Sequence, residues 1–213
     1  MRGQGTNLKI IVIAKAKNQR FPNKHVADLA GRPLIHWALR DAVAVPGVPI
    51  VIATDSEDLN AVALEGIPPS DRDRALCLRR PPRLSRPRCS GWEAFFWAME
   101  ATEKELPGAA LLVQGSVPVR PSWLLPEASR LMGCAAPPHV LYSAYREWQE
   151  GHGACYHIDG GVYGLANPET DERVVKNRAL QAYLETQPGD CVDVDVPADL
   201  ERVRAVLSSR GQA

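Results

Sequence analysis

The sequence lacks the features by which membrane, secreted and nucleic-acid-binding proteins are usually recognised. Lysine plus arginine equals aspartate plus glutamate at 25 each, so no overall charge attracts nucleic acid or a membrane surface. No run reaches the roughly 18 apolar residues that span a bilayer. The N-terminal stretch MRGQGTN lacks the apolar segment of a signal peptide. The chain is therefore expected to be cytoplasmic, with no nucleic-acid or membrane partner, and any anion-binding site must be local.

Two common nucleotide-binding motifs and the usual cysteine motifs are also absent. The sequence contains neither the GK[ST] of a P-loop nor the GxGxxG of a dinucleotide-binding fold. Its five cysteines are scattered and include no CxxC pair, which argues against a structural zinc site and a disulfide framework.

What the sequence does contain is an alternation of strand-like runs with helical patterns. Most runs are apolar on both faces and several are β-branched, as expected for a sheet that helices cover. The prediction is an α/β fold, a doubly wound and mostly parallel sheet, in a single domain spanning 1–213. Strands are predicted at 9–14, 50–53, 109–114, 139–144, 161–166 and 191–194, and helices after Pro33, after Ser56, and at 92–106, 122–132 and 198–207.

Two stretches interrupt this alternation. The segment 67–89 is rich in proline and arginine, with RRPPRLSRPR at its centre, and is predicted to be a surface loop. The segment 145–157 holds Trp148 and two histidines, and glycines flank its end, so it is predicted to be a lid or a substrate loop.

The first predicted strand leads into a loop that carries Lys15, Lys17, Arg20 and Lys24. In α/β folds, ligands bind beyond the carboxyl ends of the strands, and several cations in one short loop can neutralise a triphosphate. The alternative is a solvated basic loop without a ligand.

Near the other end of the chain, the segment VDVDVPADL places Asp193 and Asp195 on one side of a predicted strand. Paired carboxylates at a strand end suit Mg²⁺, which proteins bind with one or two carboxylates together with phosphates. The alternative is that Asp195 only caps the last helix while Asp193 is solvated. Asp55 is interpreted as a helix cap, and the polar segment 114–120 is expected to face the ligand crevice.

Taken in order, these segments resemble the acylneuraminate (CMP-sialic acid synthetase) branch of the sugar-acid cytidylyltransferases. The resemblance runs from about residue 8 to residue 207 and rests on five segments: IIVIAKAKNQRFPNKHVADLAGRPLIHWAL, IVIATDSEDLNAVA, LLVQGSVPVRP, DGGVYGL and VDVDVPADLERV. It implies a Rossmann-like nucleotidyltransferase fold of the nucleotide-diphospho-sugar transferase type, and the transfer of CMP from CTP to an acidic sugar with release of pyrophosphate. It also implies Mg²⁺ as cofactor and a homodimer.

The resemblance also assigns roles by position. The catalytic residues would be Lys15 and Lys24, which stabilise charge on the phosphates. The other implied contacts are Ala14, Asn18 and Arg80 with the nucleotide, Gln114 and Tyr163 with the acceptor, and Asp193 and Asp195 with the metal.

The sequence departs from the family pattern in ways that bear on the acceptor. The loop has Lys15 in place of an arginine and no glycine, and Lys keeps the charge without the bidentate fork. The region 145–160, which would be a lid or dimerisation element, is short, and this favours a smaller acceptor such as aminoethyl- or hydroxyethylphosphonate. Arg146, His152 and His157 are candidates for binding the acceptor's anion.

Two other functions remain open from the sequence. One is a non-catalytic relative that binds a nucleotide or a partner protein, which the altered loop would suit. The other is a nucleotidyltransferase that activates a neutral sugar phosphate with UTP or GTP.

Overall fold

The computed structural model describes residues 7–134, 136–149, 153–166 and 181–211, with the side chains of all but 147–149 and 153–157. His152 and the side chain of His157 therefore lie outside the described part. Within that part, no helix combines the length and the apolar character needed to cross a bilayer.

A seven-stranded sheet with the spatial order β5-β4-β1-β6-β8-β7-β9 forms the centre of the described structure. Strand β8 runs antiparallel to both neighbours, while the remaining pairs of adjacent strands are parallel. A separate hairpin pairs β2 with β3. The bounds are β1 Leu8–Ile13, β2 Asp28–Leu29, β3 Arg32–Pro33, β4 Ile50–Thr54, β5 Ala75–Arg79, β6 Ala109–Gln114, β7 Val140–Gln149, β8 Gly153–Leu165 and β9 Gln181–Thr186.

Helices cover both faces of this sheet, so the predicted doubly wound α/β fold is confirmed. Alternate residues of β1 enter opposite cores, with Ile10 and Val12 on one face and Ile11 and Ile13 on the other. Helices α1, α2 and α4 pack on the first face and α3 on the second, while α5 packs against the β2–β3 hairpin and α1. Their bounds are α1 Leu34–Val43, α2 Glu57–Glu65, α3 Gly91–Thr102, α4 Leu124–Met132 and α5 Pro197–Ser209.

One lysine is buried inside this fold at the start of β1. Lys9 is fully buried, and its Nζ donates to the carbonyls of Leu106 at 2.7 Å and Met99 at 3.3 Å and to Glu103 at 3.2 Å. These acceptors lie at and beyond the carboxyl end of α3, where the helix dipole favours a cation. Burial lowers the pKa of Lys9, and the carbonyl and carboxylate partners compensate for its lost hydration. Lys9 therefore has a structural role, and it lies at the amino end of β1, away from the loops that follow the carboxyl ends of the parallel strands.

Three predicted loops or strands are corrected by the structure. Residues 75–79, inside the predicted surface loop 67–89, form edge strand β5, which pairs in parallel with β4. The described residues of the segment 145–157, predicted to be a lid or a substrate loop, belong to β7 and β8, which pair in antiparallel fashion, so they are not a loop, while a role as a lid stays a prediction. The predicted strand 191–194 is wrong, because the backbone pairing of this segment within the described structure is limited to one bridge, Val119 with Val192, and one bond from the amide of Val194 to the carbonyl of Ser116.

The strand order determines where ligand-binding side chains can meet. The carboxyl ends of β1, β4, β5 and β6 lie side by side, and the loops that follow them share one edge of the sheet. Because β8 is reversed, its first half reaches the same edge next to β6. The segment 191–196 crosses this edge before α5 begins, so both ends of the chain contribute to it.

Candidate functional site

Six of the residues predicted for the site line one cleft at this edge. We call it the central cleft, and the six are Ala14, Lys15, Asn18, Lys24, Arg80 and Gln114. The sequence predicted each of them separately, and the parallel pairing of β1 with β4 and β6 brings them together.

The carbonyl groups of the loop after β1 accept hydrogen bonds from other groups of the protein. The carbonyl of Ala14 accepts from Arg80 Nη1 at 3.3 Å. That of Lys15 accepts from His25 Nδ1 at 3.0 Å and from the side-chain amide of Asn18. The carbonyl of Ala16 accepts from the amide of Asn23 at 3.2 Å. Three consecutive carbonyls are therefore held by the protein.

Most amide groups of the same loop, by contrast, have no hydrogen-bond acceptor among the described residues. The amide of Ala16 donates to Asp55 Oδ1 at 2.7 Å, but those of Lys15, Lys17 and Asn18 have no acceptor among the described residues. A loop with engaged carbonyls and available amides is a binding site for an anion. Asp55 thus holds this loop, and the expectation that it caps α2 is wrong, because the cap is Ser56, which accepts from the amide of Leu59.

Arg80 links this loop to the next strand. It is 6% exposed, its amide donates to the carbonyl of Thr54 at 2.8 Å, and its Nη2 donates to the carbonyl of Leu84. Its Nε is buried and has no partner. Burial lowers the pKa of Arg80 while the nearby Asp55 carboxylate opposes that shift. A buried guanidinium that lines the cleft and has an unused donor is well suited to a ligand anion.

The two predicted catalytic lysines take different positions. Lys15 Nζ donates to the carbonyl of Arg86 at 3.0 Å, which ties the first loop to the arginine-rich segment. Lys24 is buried, and its Nζ donates to the carbonyl of Val194 at 2.7 Å and to Asp195 Oδ1 at 3.3 Å. The beginning and end of the chain thus meet directly at this edge of the sheet.

The two aspartates are in unlike environments. The Asp195 side chain is 42% exposed and pairs with Lys24 and with Arg20 at 2.8 Å. Asp193 has a buried Oδ1 without a hydrogen-bond partner. Burial raises the pKa of Asp193, while hydrogen bonding from Ser116 and the charge of Lys24 oppose that shift.

Asp195 does not cap the last helix. The carboxylate of Asp199 takes that role, since it accepts from the amide of Asp195 at 2.8 Å and from the amide of Val196 at 2.9 Å. Neither aspartate lines the central cleft itself, but Asp195 lies beside Lys24, which does, and Asp193 is not simply solvated.

Among the described residues, no group of three or more His, Cys, Asp or Glu side chains forms a metal site. The two aspartates nevertheless fit Mg²⁺, because it commonly takes one or two protein carboxylates and completes its shell with phosphates and water. The unpartnered Oδ1 of Asp193 is an oxygen donor of the required kind.

The amino end of α3 also faces the central cleft, which the sequence reasoning missed. Cys89, Ser90 and Gly91 line the cleft. Ser90 and Glu93 form a capping box, with the amide of Glu93 donating to Ser90 Oγ at 3.1 Å and the amide of Ser90 donating to Glu93 at 2.6 Å. The dipole of this 12-residue helix adds positive potential at the cleft. The S-x-x-E pattern in the sequence was the available signal.

Gln114 lines the cleft at the end of β6, and Tyr163, which does not line it, lies next to Gln114 on the neighbouring strand β8. They are joined by a side-chain hydrogen bond, and burial together with the carboxylates of Asp159 and Asp193 raises the pKa of Tyr163 to about 12. The Tyr163 ring packs edge-on against Trp92, with ring centroids 5.1 Å apart. Tyr163 therefore stays protonated at neutral pH and can donate or accept a hydrogen bond.

Asp159 fixes the shape of β8 beside this pair. One of its oxygens accepts from Ser143 Oγ at 2.5 Å and from the amide of Gly161 at 2.9 Å, and the other accepts from Thr186 Oγ1 at 2.5 Å. Pairing between β7 and β8 shifts register here, so residues 159–162 form a bulge. Gly160 has φ +77 and lies close to the side-chain amide of Gln114. A single carboxylate thus joins three strands next to the predicted acceptor side.

The predicted anion-binding side chain Arg146 is paired with Glu185 at 3.4 Å, and both are about half exposed. Arg146 therefore lies at the rim of the sheet, and it is not among the residues that line the central cleft.

Comparison with known proteins agrees with this geometry. A family model described as cytidylyltransferase matches residues 9–86, which include the first loop and Arg80. A 3-deoxy-manno-octulosonate cytidylyltransferase of Vibrio campbellii is 27% identical over 133 residues, covering 62% of this chain and 48% of the relative. The enzyme of the same name from Francisella tularensis subsp. novicida is 37% identical over 57 residues, covering 27% of this chain and 23% of the relative. The chain thus matches about half or less of the length of these curated relatives.

Solved structures resemble the whole fold. A CMP:2-keto-3-deoxy-manno-octonic acid synthetase complexed with CTP has a TM-score of 0.71 at 16% identity, covering 96% of this chain and 100% of the other. The chain has the nucleotidyltransferase fold. A second structure, 4-diphosphocytidyl-2C-methyl-D-erythritol synthase from Anaerococcus prevotii, has a TM-score of 0.66 at 10% identity, covering 94% of this chain and 96% of the other.

These relatives refine the resemblance seen in the sequence. The description cytidylyltransferase recurs in the family model that matches residues 9–86 and in the names of the curated relatives. The relatives named here are 3-deoxy-manno-octulosonate enzymes and are not of the acylneuraminate type.

Proposed function

We propose that this chain is a CTP-dependent cytidylyltransferase that transfers CMP to a small acidic acceptor and releases pyrophosphate. The acceptor would be a sugar acid, first of all 3-deoxy-manno-octulosonate by analogy with the relatives, or else a nonulosonate or a small phosphonate. The observation that carries the proposal is the contact between Lys24 and the segment that holds Asp193 and Asp195. It joins a cationic loop and a pair of carboxylates at one cleft.

The chain's own groups suit the binding of a nucleoside triphosphate. The available amides of the first loop and the amino end of α3 supply hydrogen-bond donors to the central cleft, and the guanidinium of Arg80 adds positive charge to its lining. Lys15 and Lys24 supply charge at two sides of the first loop. Such fixed donors stabilise charge on phosphates without reorganisation during the reaction.

The proposed reaction is an in-line attack of an acceptor oxygen on the α-phosphorus of CTP. The new oxygen–phosphorus bond forms as the bond to the β-phosphate bridging oxygen breaks, pyrophosphate leaves, and a hydroxyl acceptor loses its proton. Such transfers require mainly position and charge, so no covalent nucleophile is needed. Gln114 and Tyr163 would orient the acceptor beside the α-phosphate.

Asp193 and Asp195 would hold a Mg²⁺ ion, which supplies charge neutralisation at the phosphates when it is bound. In the protein itself, Ser116 positions Asp193, and Lys24 positions Asp195. Both aspartates therefore have a neighbour that fixes their orientation before a nucleotide arrives.

The test is pyrophosphate release from each of CTP, UTP, GTP and ATP with Mg²⁺, measured against a panel of acceptors. The panel contains 3-deoxy-manno-octulosonate, N-acetylneuraminate, aminoethylphosphonate and hydroxyethylphosphonate. We expect release with CTP and an acidic acceptor, and loss of release on Asp195→Asn. Tight CTP binding with no release for any pair would support a non-catalytic binding protein instead, and a preference for UTP or GTP would support a neutral sugar phosphate as acceptor.

Two further expectations remain proposals. The homodimer is tested by light scattering of the purified protein, and the cytoplasmic location by fractionation of the source cells.

A further inference from the structure

His25 occupies a position that neither the sequence motifs nor the proposed reaction accounts for. It is 4% exposed and lies between the central cleft and a second cavity bordered by Ser56, Asp58 and Val62. Its neighbour Asn23 has φ 57, a left-handed conformation that Asn tolerates well, and this turn begins the short 3-10 helix that carries both Lys24 and His25.

The hydrogen-bond partner of His25 fixes its tautomer. Burial and the charge of Lys24 lower the pKa of His25 to about 3, although Asp55 opposes the shift, so the ring is neutral at physiological pH. The carbonyl of Lys15 can only accept, so Nδ1 must carry the hydrogen of the 3.0 Å bond between them. Nε2 then has no hydrogen and no partner among the described residues.

The first loop contains no glycine, so its amides are oriented by residues of ordinary backbone conformation and by the hydrogen bonds that its carbonyls accept. The residues 14–18 are Ala, Lys, Ala, Lys and Asn, and each carries a Cβ that limits its backbone. A side chain that fixes the carbonyl of Lys15 fixes the peptide plane between Lys15 and Ala16, whose amide donates to Asp55. This peptide group is thus held from both sides, and through the backbone it restrains the flanking peptide groups that carry the amides of Lys15 and Lys17.

We infer that His25 is a positioning residue for the nucleotide site. Its Nδ1–H holds the Lys15 carbonyl away from the ligand and so keeps the amides of Lys15, Lys17 and Asn18 ready to bind the phosphates. The inference rests on the proposed CTP site, and it adds a residue whose action is indirect, through the backbone of the loop.

The experiment compares two substitutions that differ in where they place a donor. The side-chain amide of Asn can take the position of Nδ1, whereas that of Gln takes the position of Nε2. We therefore expect His25→Asn to bind CTP within about threefold of the unmodified protein, and His25→Gln to bind about tenfold more weakly. Dissociation constants for CTP and for inorganic tripolyphosphate, measured by calorimetry, should show the same loss, because the affected contact is with the phosphates.

A second histidine supplies the matched control. His36 Nε2 contacts the carbonyl of Val62 at 2.6 Å, in helix α1 and outside the central cleft. His36→Asn removes a histidine–carbonyl bond of the same kind, and it should lower the unfolding midpoint while leaving CTP affinity unchanged. The unfolding midpoint of every variant is measured alongside binding, so that a loss of affinity can be compared with a loss of stability.

Three results would decide against the inference. These are equal CTP affinity in His25→Gln and the unmodified protein, equal weakening in folded His25→Asn and His25→Gln, and weakening by His36→Asn to the same degree. If the unmodified protein itself does not bind CTP, the proposed function fails, and the two failures are therefore distinct.

Discussion

The two halves of the sheet hold their functional side chains in different ways. In the parallel half, formed by β5, β4, β1 and β6, the site consists of loops that follow strand ends, and several of its amide donors have no acceptor among the described residues. In the antiparallel extension, formed by β8, β7 and β9, Asp159 has its oxygens fully engaged by other protein groups. Unused polar groups lower stability but are available to a ligand, whereas engaged groups fix a shape. We therefore expect substitutions in the first half to affect chemistry and nucleotide binding, and substitutions in the second to affect stability and the acceptor.

The largest expected effect is on turnover in the parallel half. Asp193→Asn should lower the rate of pyrophosphate release by about 10³-fold, because it removes a charged ligand from the proposed metal site. The free energy of unfolding should not fall, because the substitution removes a partly buried charge whose Oδ1 has no partner.

Steady-state assays and urea unfolding measure these two quantities. Asp73→Asn, at an exposed position without a hydrogen-bond partner in the described structure, is the control and should change neither. If the Asp193→Asn variant kept full activity, Asp193 would not be a ligand of the proposed metal site.

The second prediction concerns the extension. Asp159→Ala leaves Ser143 Oγ, Thr186 Oγ1 and the amide of Gly161 without their acceptor, so the free energy of unfolding should fall by about 2–3 kcal/mol. The affinity for CTP should change less than twofold, because these groups lie on the acceptor side.

Urea unfolding and calorimetric titration with CTP measure the two effects. Ser143→Ala removes one donor to Asp159 and also the acceptor of the Val162 amide, and it should cost about 1–2 kcal/mol. If CTP affinity fell in proportion to stability in both variants, the parallel half of the sheet and the antiparallel extension would not have separate roles.

The third prediction uses the buried neutral ring of His25. Its pKa is about 3 in the folded protein and near 6.5 when unfolded, so the unfolded chain takes up the proton first as the pH falls. Its contribution to stability is fully present above about pH 6.5 and is lost as the pH falls towards 3, at about 1.4 kcal/mol per pH unit.

The difference in unfolding free energy between the unmodified protein and His25→Asn, followed from pH 7 to pH 4, isolates this group from the carboxylates. The difference should shrink on acidification. A difference independent of pH would show that the ring is charged in the folded state or solvated.

The smallest expected effect on stability concerns Arg20, one of the two cations that contact Asp195. The side chain of Arg20 is 68% exposed and that of Lys24 is 9% exposed. Exposed ion pairs add little to stability, so Arg20→Ala should change the free energy of unfolding by less than about 0.5 kcal/mol.

Lys24→Met is the comparison, since it leaves the carbonyl of Val194 and one oxygen of Asp195 without their buried donor. It should cost about 2 kcal/mol. Equal costs for the two variants would mean that burial does not determine the strength of this contact.

The sequence predicted most of the parallel half, because its signals are local. Strands β1, β4 and β6 are apolar runs that end in polar loops, and the loop after β1 showed its cations directly. Local signals therefore predict Lys15, Lys24 and Gln114 of the central cleft, whereas Ala14, Asn18 and Arg80 are implied only by the resemblance to the cytidylyltransferases.

The rest of the fold depends on tertiary contacts that no local pattern encodes. Strand β5 is short and mixed in polarity, with the sequence ALCLR, and it becomes a strand only because β4 supplies a partner along its length. Conversely, 191–194 has the composition of a strand but crosses the sheet edge and finds a single bridging partner. The local pattern predicts Asp55 as a helix cap, but its partner is the amide of Ala16, which lies 39 positions earlier in the chain and which no local pattern reveals.

The bond between Lys24 and the carbonyl of Val194 joins residues 170 positions apart. Closing so long a loop is among the slower events available to a chain, since the entropy must be given up before the contact forms. During synthesis, a ribosome must therefore release the chain beyond Asp195 before the pocket exists. Prematurely terminated products that stop short of this segment should be inert towards nucleotides, even where their earlier strands have already paired.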